Sequence, residues 1–337
     1  MRVVLAPDKF RGSLSAAGAA DALADGVTRW GADPVRVPLS DGGEGFLEVM
    51  GGPNRTTTVT GPLGDPVEAR WRLARRTAVL EMSRAAGLEL AGGAEGNDPL
   101  AADTTGVGEL LAAALDAGAT RIIVGMGGSA TTDGGLGALR ALGPVPRLAG
   151  VRLEVACDVR TRFADAARQF GPQKGASPAQ VELLSRRLGR LEELYAEQYQ
   201  VEVGALPGSG AAGGLAGALA ALGGTLRGGF EVVAERVDLD EAIEAADAVL
   251  TGEGLMDAAS FEGKVVGGVA ELAGQLGVPV GAVVGDLDPG LHDLPVGLEV
   301  ASLVADAGRE AAFADAAAAV AASAEALLTR MLGSPDG

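Results

Sequence analysis

Histidine and cysteine are almost missing from this chain: His292 and Cys157 are the only ones among 337 residues. A single cysteine excludes an intrachain disulfide, and together the two leave almost no room for a His/Cys metal site. A Ser-His-Asp or Cys-His nucleophile would have to use His292. That residue sits in the turn-like stretch Pro289-Gly290-Leu291-His292-Asp293, so any general base is expected to be a carboxylate. Aromatic residues make up only 3% of the chain, which leaves the core to Ala, Val and Leu. No apolar run approaches the ~20 residues a membrane span needs, and the opening Arg2-Val3-Val4-Leu5 lacks the apolar region of a signal peptide. A cytoplasmic protein with no membrane partner is expected. Positive charge is scarce as well, 27 basic against 45 acidic residues for a net charge of −18. That balance argues against nucleic acid, which needs a basic face, and favours small-molecule substrates.

Lysine is the scarcest charge. Lys9, Lys174 and Lys264 are the only three, the other 24 basic residues being arginine, and each lies in a glycine-rich turn. A compact ammonium suits phosphate or carboxylate where a planar guanidinium does not fit.

What the chain has in abundance is glycine, 53 residues, and apolar residues, 47%. Short apolar runs alternate with longer stretches of helical period, the pattern of an α/β protein with a parallel sheet. Strands are expected at 3–6, 35–39, 121–125, 153–157, 248–251, 278–284 and 298–304. Helices are expected at 15–30, 106–117, from a capping box at Ser177 to about Tyr199, and at 311–331. Strand-formers separated by Gly/Pro turns between Arg55 and Glu81 predict hairpins. The length predicts two domains: residues 1–51 with 241–337, a Rossmann-like or flavodoxin-like parallel sheet built from both chain ends, and an inserted α/β domain with a mixed sheet, 52–240.

The segment Gly125 to Gly137, rich in glycine and hydroxyls between a strand and a helix, is suited to bind phosphate through backbone N–H groups. Gly208-Ser209-Gly210-Ala211-Ala212-Gly213 matches a dinucleotide-binding pattern but follows a poor strand, and a helix start without a dinucleotide is expected. Acids beside glycine recur at Asp41-Gly42-Gly43-Glu44-Gly45 and Thr251-Gly252-Glu253-Gly254-Leu255-Met256-Asp257. Both follow strands assigned to one sheet, so Glu44, Glu253 and Asp257 are candidate oxygen ligands for Mg²⁺; each acid is equally readable as a helix cap. Lysines, anion-binding turns and carboxylates without a histidine base describe phosphoryl transfer.

At these residues the sequence resembles the bacterial type I glycerate kinase family. The matching stretches include Ala6 to Ser15, Pro38 to Gly45, Gly61 to Gly64, Gly127 to Gly135, Val155 to Val159, Phe170 to Ala176, Gly208 to Gly214 and Thr251 to Lys264. The resemblance implies a two-domain α/β kinase using ATP and Mg²⁺ to phosphorylate D-glycerate, with the 2-phosphate as the expected product and a homodimer left open as its assembly. It also implies Asp133 or Asp41 as the carboxylate near the accepting hydroxyl, and Lys174, Lys9 and Arg11 as contacts to carboxylate and phosphate. Gly127, Gly128 and Ser129 would hold an anion, and Asp8, Ser13, Asp158 and Lys264 would lie beside substrate or phosphate. The chain departs from the family pattern at Arg11, Thr132, Leu255, Ala258 and Val266, and most in Arg160 to Asp165. A binder without catalysis, a kinase of another hydroxy acid, or an oxidoreductase using Gly208 to Gly213 are the competing readings.

Overall fold

Val3 to Ala6 are fully buried, as a strand covered on both faces must be. They lie in the first of eleven strands among the described residues: β1 Arg2–Pro7, β2 Asp33–Arg36, β3 Arg55–Thr60, β4 Pro66–Ala74, β5 Thr77–Glu81, β6 Arg121–Gly125, β7 Arg152–Ala156, β8 Thr225–Arg227, β9 Ala248–Met256, β10 Val280–Leu287 and β11 Leu298–Ser302. The computed structural model describes residues 1–334. One sheet has the order β11-β10-β9-β1-β2 and is parallel throughout. The other has the order β3-β4-β5-β6-β7-β8, antiparallel from β3 to β5 and parallel from β5 to β8. The parallel sheet from both chain ends and the mixed sheet between them are the architecture expected from sequence.

The chain divides into two compact units, Met1–Asp41 with Gly228–Gly337, and Gly42–Arg227. Both divisions fall earlier than the sequence reading placed them. Helix Phe46–Val49 goes with the second unit because Phe46 lies against Gly125 at the end of β6, where an added Cβ would come 2.7 Å from its ring. Helix Gly229–Arg236 goes with the first because Phe230 packs on Gly268.

In the first unit, Ser15 caps helix Ala16–Trp30 by accepting from the Gly18 N–H at 3.1 Å. This helix crosses the C-terminal helix Ala316–Leu332 at Gly26, where a Cβ would lie 2.2 Å from the Ala321 carbonyl oxygen. Alanine normally stabilises a helix interior by about 1 kcal/mol over glycine, but here it would push two helices apart. Gly26→Ala is expected to lower stability by about 1–3 kcal/mol in chemical denaturation; an unchanged midpoint would show the crossing has slack.

Two expectations are corrected here. The helix anticipated at 311–331 is broken: Arg309–Ala314 ends and Asp315 starts a new helix, accepting from the Ala318 N–H at 3.0 Å. An aspartate bonding the backbone ahead of it favours a cap over a helix interior. The strand anticipated at 248–251 continues to Met256, because β10 pairs along its length as far as Leu287↔Met256. Glu253 therefore stands on a strand, not in a turn.

In the second unit, helix Thr105–Asp116 buries Val107, Leu110, Leu111 and Ala114 against Leu80, Ile122, Val124, Leu153 and Val155. A second cluster joins Phe163, Leu184, Leu188 and Tyr195 beneath helix Pro178–Tyr199, whose Ser177/Gln180 capping box forms as its sequence predicted. The buried Glu154 on β7 is neutralised by Arg121 at 2.6 Å, Arg152 at 2.8 Å and Arg227 at 3.3 Å. Burial alone would raise its pKa; the Arg121 hydrogen bond and the surrounding guanidinium charge hold it below its ordinary value. No helix among the described residues is long and apolar enough to cross a membrane.

Candidate active site

Two groups of predicted residues assemble, one in each unit. In the first unit, β1 and β9 run side by side in register, Ala6 opposite Thr251 and Pro7 opposite Gly252. Their carboxyl ends deliver Asp8 and Glu253 to one edge, the edge at which open α/β sheets bind ligands. The Asp8 N–H donates to the Gly252 carbonyl at 2.9 Å. Beyond β2 the chain stays beside β1, with Leu39 N–H donating to Pro7 O at 2.9 Å, which carries Asp41 to the same edge. Asp8, Asp41 and Glu253 are all half-buried and feel one another's charge.

That crowding has an electrostatic signature. Burial, then the charge of Asp41, pushes Asp8 up to about 7, with Lys9 opposing. Burial pushes Glu253 up to about 7 against a hydrogen bond from Ser260 and the charge of Lys264. Glu253 Oε1 is buried with no hydrogen-bond partner. Because its folded-state pKa lies above the ordinary 4.5, the stability Glu253 contributes is complete below about pH 4.5 and lost as pH rises through about 7. Glu253→Gln is therefore expected to melt with wild type at about pH 4 and above it at about pH 8. A difference that does not change with pH would show that Glu253 titrates as an ordinary carboxylate.

The other predicted residues of this unit are placed as follows. Lys9 follows Asp8 and is half-buried, whereas Arg11 and Ser13 are exposed on a tight turn, Ser13 Oγ donating to Phe10 O at 3.1 Å. Asp257 ends β9 and caps the short helix Ala258–Phe261, accepting from the Ser260 N–H at 3.1 Å. Lys264 precedes helix Val265–Leu276 and is half-buried.

In the second unit, the turn after β6 carries Gly127, Gly128 and Ser129 and continues to Asp133. Ser129 is 9% exposed and Lys174 only 3%. Lys174 Nζ lies under the turn, donating to Ser129 Oγ at 2.8 Å and to Thr131 O at 2.6 Å. Burial draws Lys174 down to about 7, with the charge of Asp133 opposing. Asp133 is half-buried. Its Oδ2 accepts from Thr104 N–H at 3.0 Å, Thr104 Oγ1–H at 2.8 Å and Gly137 N–H at 3.0 Å, and its Oδ1 from Gly135 N–H at 3.0 Å. Burial raises its pKa against these bonds. Glu44 is exposed in the turn Gly42–Gly45, and Asp158 is half-buried just after β7. Burial and the charge of Asp158 push the Cys157 thiol up to about 12, away from the thiolate that a nucleophile needs.

Charge divides unequally between the units. The first holds 25 acidic and nine basic residues, the second 20 and 18, for net charges of −16 and −2. The phosphate-suited turn thus lies on the nearly neutral unit together with Glu44, and Asp8, Asp41, Glu253 and Asp257 lie on the negative one.

The sequence reading missed Thr104 and Asn97. Thr104 is fully buried, and its hydroxyl both donates to Asp133 and accepts from the Ala138 N–H at 2.9 Å. Asn97 Nδ2 donates to Ala130 O at 3.1 Å and Lys174 O at 2.9 Å, tying the two turns together. Nothing local marks either, since their partners lie 29 to 77 residues away along the chain. The Gly208–Gly213 match has a short 3₁₀ turn, Val203–Ala205, before it in place of the strand a dinucleotide fingerprint needs.

Comparison with known proteins agrees with this architecture. The glycerate kinase family model matches residues 3–145 and 144–332. Glycerate 2-kinase of Escherichia coli K12 is 41% identical over 327 residues, covering 85% of this chain and 86% of that protein. Glycerate kinase of Halalkalibacterium halodurans is 39% identical over 328 residues, covering 86% of each. A crystal structure described as glycerate kinase 2 from Salmonella typhimurium LT2 superposes with a TM-score of 0.80 at 36% identity, covering 98% of both chains. The chain belongs to the glycerate kinase family.

Proposed function

We propose that the protein transfers the terminal phosphoryl group of ATP to the C2 hydroxyl of D-glycerate, giving 2-phosphoglycerate. Family membership supports the donor and the acceptor, and the relative named glycerate 2-kinase supports the position. The observation that carries the chemistry is the buried Lys174 ammonium under the glycine turn of Gly127 to Ser129. An amine held beneath a turn of backbone N–H groups, and charged whenever it is protonated, suits charge spread over phosphoryl oxygens, and such transfer is catalysed chiefly by positioning and electrostatics.

In this reading Asp133, taken up by four donors, fixes the turn, and Asp41 accepts the proton of the attacking hydroxyl. Lys9 and Arg11 supply further positive charge for substrate carboxylate or phosphate. Among the described residues no group of three or more His, Cys, Asp or Glu side chains is placed to hold a metal. Mg²⁺ needs only one or two carboxylates besides phosphate oxygens and water, and the unpartnered, buried Glu253 Oε1 beside Asp8 and Asp41 fits such a cation. Bound there with ATP, Mg²⁺ would offset phosphate charge. Asp257, engaged as a cap, is the less suited ligand.

Phosphorus NMR of the protein with ATP, Mg²⁺ and D-glycerate tests this directly. A phosphomonoester signal split into a doublet by the single C2 proton is expected. A triplet from the C3 methylene would move the reaction to the other hydroxyl. ATP left intact by folded, ATP-binding protein would overturn the reading in favour of a binder.

A further inference from the structure

Glu81 belongs to no motif, yet it is a carboxylate only 1% exposed at the carboxyl end of β5, opposite Gly125 of β6. Its Oε2 accepts from the Leu47 N–H at 3.1 Å, and its Oε1 from Ser83 Oγ at 3.0 Å. Arg84 Nε stands 3.7 Å from Oε1, and Arg84 also reaches Glu48 at 3.6 Å. Leu47 is the second residue of helix Phe46–Val49, whose preceding Gly45 has no side chain with which to cap it. Glu81 supplies that cap from a neighbouring strand, meeting an N–H group that the helix leaves unpaired.

The capped segment is the arm of the acidic glycine turn. Gly42 O accepts from the Gly127 N–H at 3.3 Å, and a Cβ on Gly127 would lie 2.3 Å from Gly43 Cα. Ser83, the other partner of Glu81, lies against Gly128, where a Cβ would come 3.3 Å from Ser83 Cβ. One buried carboxylate thus grips the arm of the turn Gly42–Gly45 with one oxygen and, through Ser83, backs the turn Gly127–Ser129 with the other.

We propose that Glu81 is a positioning residue for catalysis, locking the Gly42–Gly45 turn against the Gly127–Ser129 turn and so fixing Glu44 and the phosphate-suited turn together. The proposal rests on the kinase reading above. Leu at 81 is close in volume but accepts no hydrogen bond, so the Leu47 N–H and Ser83 Oγ both lose their partner, whereas Gln could keep both by turning its oxygen to the Leu47 N–H and donating from its amide to Ser83 Oγ.

Two measurements on the full-length protein test it: steady-state phosphorylation of glycerate, and amide hydrogen exchange of residues 42–50, which needs no substrate. Glu81→Leu is expected to lower kcat by at least about tenfold with KM for ATP changed by less than about threefold, since small misplacements of reacting groups cost rate more than binding. Exchange should rise across 42–50 and stay unchanged in β5 and β6. Unchanged kcat, or unchanged exchange at 42–50, in folded Glu81→Leu overturns the proposal. Should that variant fail to fold, Ser83→Ala, which leaves Glu81 in place, must show a smaller fall in kcat; wild-type kcat would overturn the proposal equally. A wild type that exchanges as expected but does not phosphorylate glycerate would sink the kinase reading and leave the anchor standing.

Discussion

Lys174→Met is expected to lower turnover at least ~100-fold while the protein remains folded. Met is close to Lys in volume and tolerates an irregular cavity, so packing around the site is largely kept. Removing Nζ takes from Ser129 Oγ and Thr131 O the donor that Lys174 supplies, at about 1–3 kcal/mol for each group left unsatisfied. Against this, burial holds Lys174 down to about 7. Its folded-state pKa lies below the ordinary 10.5, so the stability it contributes is complete above about pH 10.5 and has been lost once pH falls to about 7. Near neutrality the fold already carries that cost, and Met removes it. The two terms oppose each other, and a modest change in melting temperature should accompany a large loss of kcat. Lys174→Arg should not rescue activity, because a planar fork cannot occupy a site built around a point charge. Turnover within a few fold of wild type in folded Lys174→Met would reduce the lysine to a structural peg under the turn.

The second large effect is at Asp133. Its carboxylate accepts three N–H donors and one hydroxyl. Asp133→Asn keeps the shape but offers one oxygen in place of two, so whichever way the amide lies it sets an N–H₂ group against at least one donor. Loss of stability by about 2–4 kcal/mol in chemical denaturation is expected, with turnover falling at least ~100-fold because the phosphate-suited turn is no longer held. Thr104→Val, which removes one of the four donors and also the acceptor of the Ala138 N–H, should reproduce part of the stability loss. The contrast with Asp41→Asn is the informative one. A proton acceptor should cost turnover with little stability, and the organiser of a turn should cost both. If Asp133→Asn keeps wild-type stability and loses only turnover, the assignment of the two carboxylates is exchanged.

How legible the site was depended on whether a residue's partner is near it in sequence. The Ser177 capping box formed as read, because both its members lie within one helical turn. The turn after β6 was legible because strand, glycines and hydroxyls are contiguous. Asp257 showed both of its readings in sequence, and the nearby Ser260 settles its local role as a cap. Glu253 was read as lying beyond a strand expected to end at Thr251, yet pairing with β10 holds it extended. Lys174 was singled out as a contact to substrate, but its burial beneath the turn could not be read, since the groups it meets lie 43 and 45 residues away. Glu81 gave no signal at all: a strand acid reads as solvent-facing until its partner at Leu47 is known.

By itself, the sequence determined the chemistry available and the layers to be built. One histidine and one cysteine leave little room for a histidine-assisted nucleophile or a His/Cys metal site, and the alternation of apolar runs with helical periods dictates α/β layers, because those periods record which face each element must bury. Only the tertiary structure decided which charges share a site. The parallel register of β1 and β9 brings Asp8 beside Glu253 from opposite ends of the chain. Chain closure over long separations puts Lys174 under Ser129 and Glu81 under Leu47. Burial and mutual charge, which set the pKa values of Asp8, Glu253 and Lys174, exist only once these segments have met, since a group's titration follows its surroundings and not its neighbours in sequence.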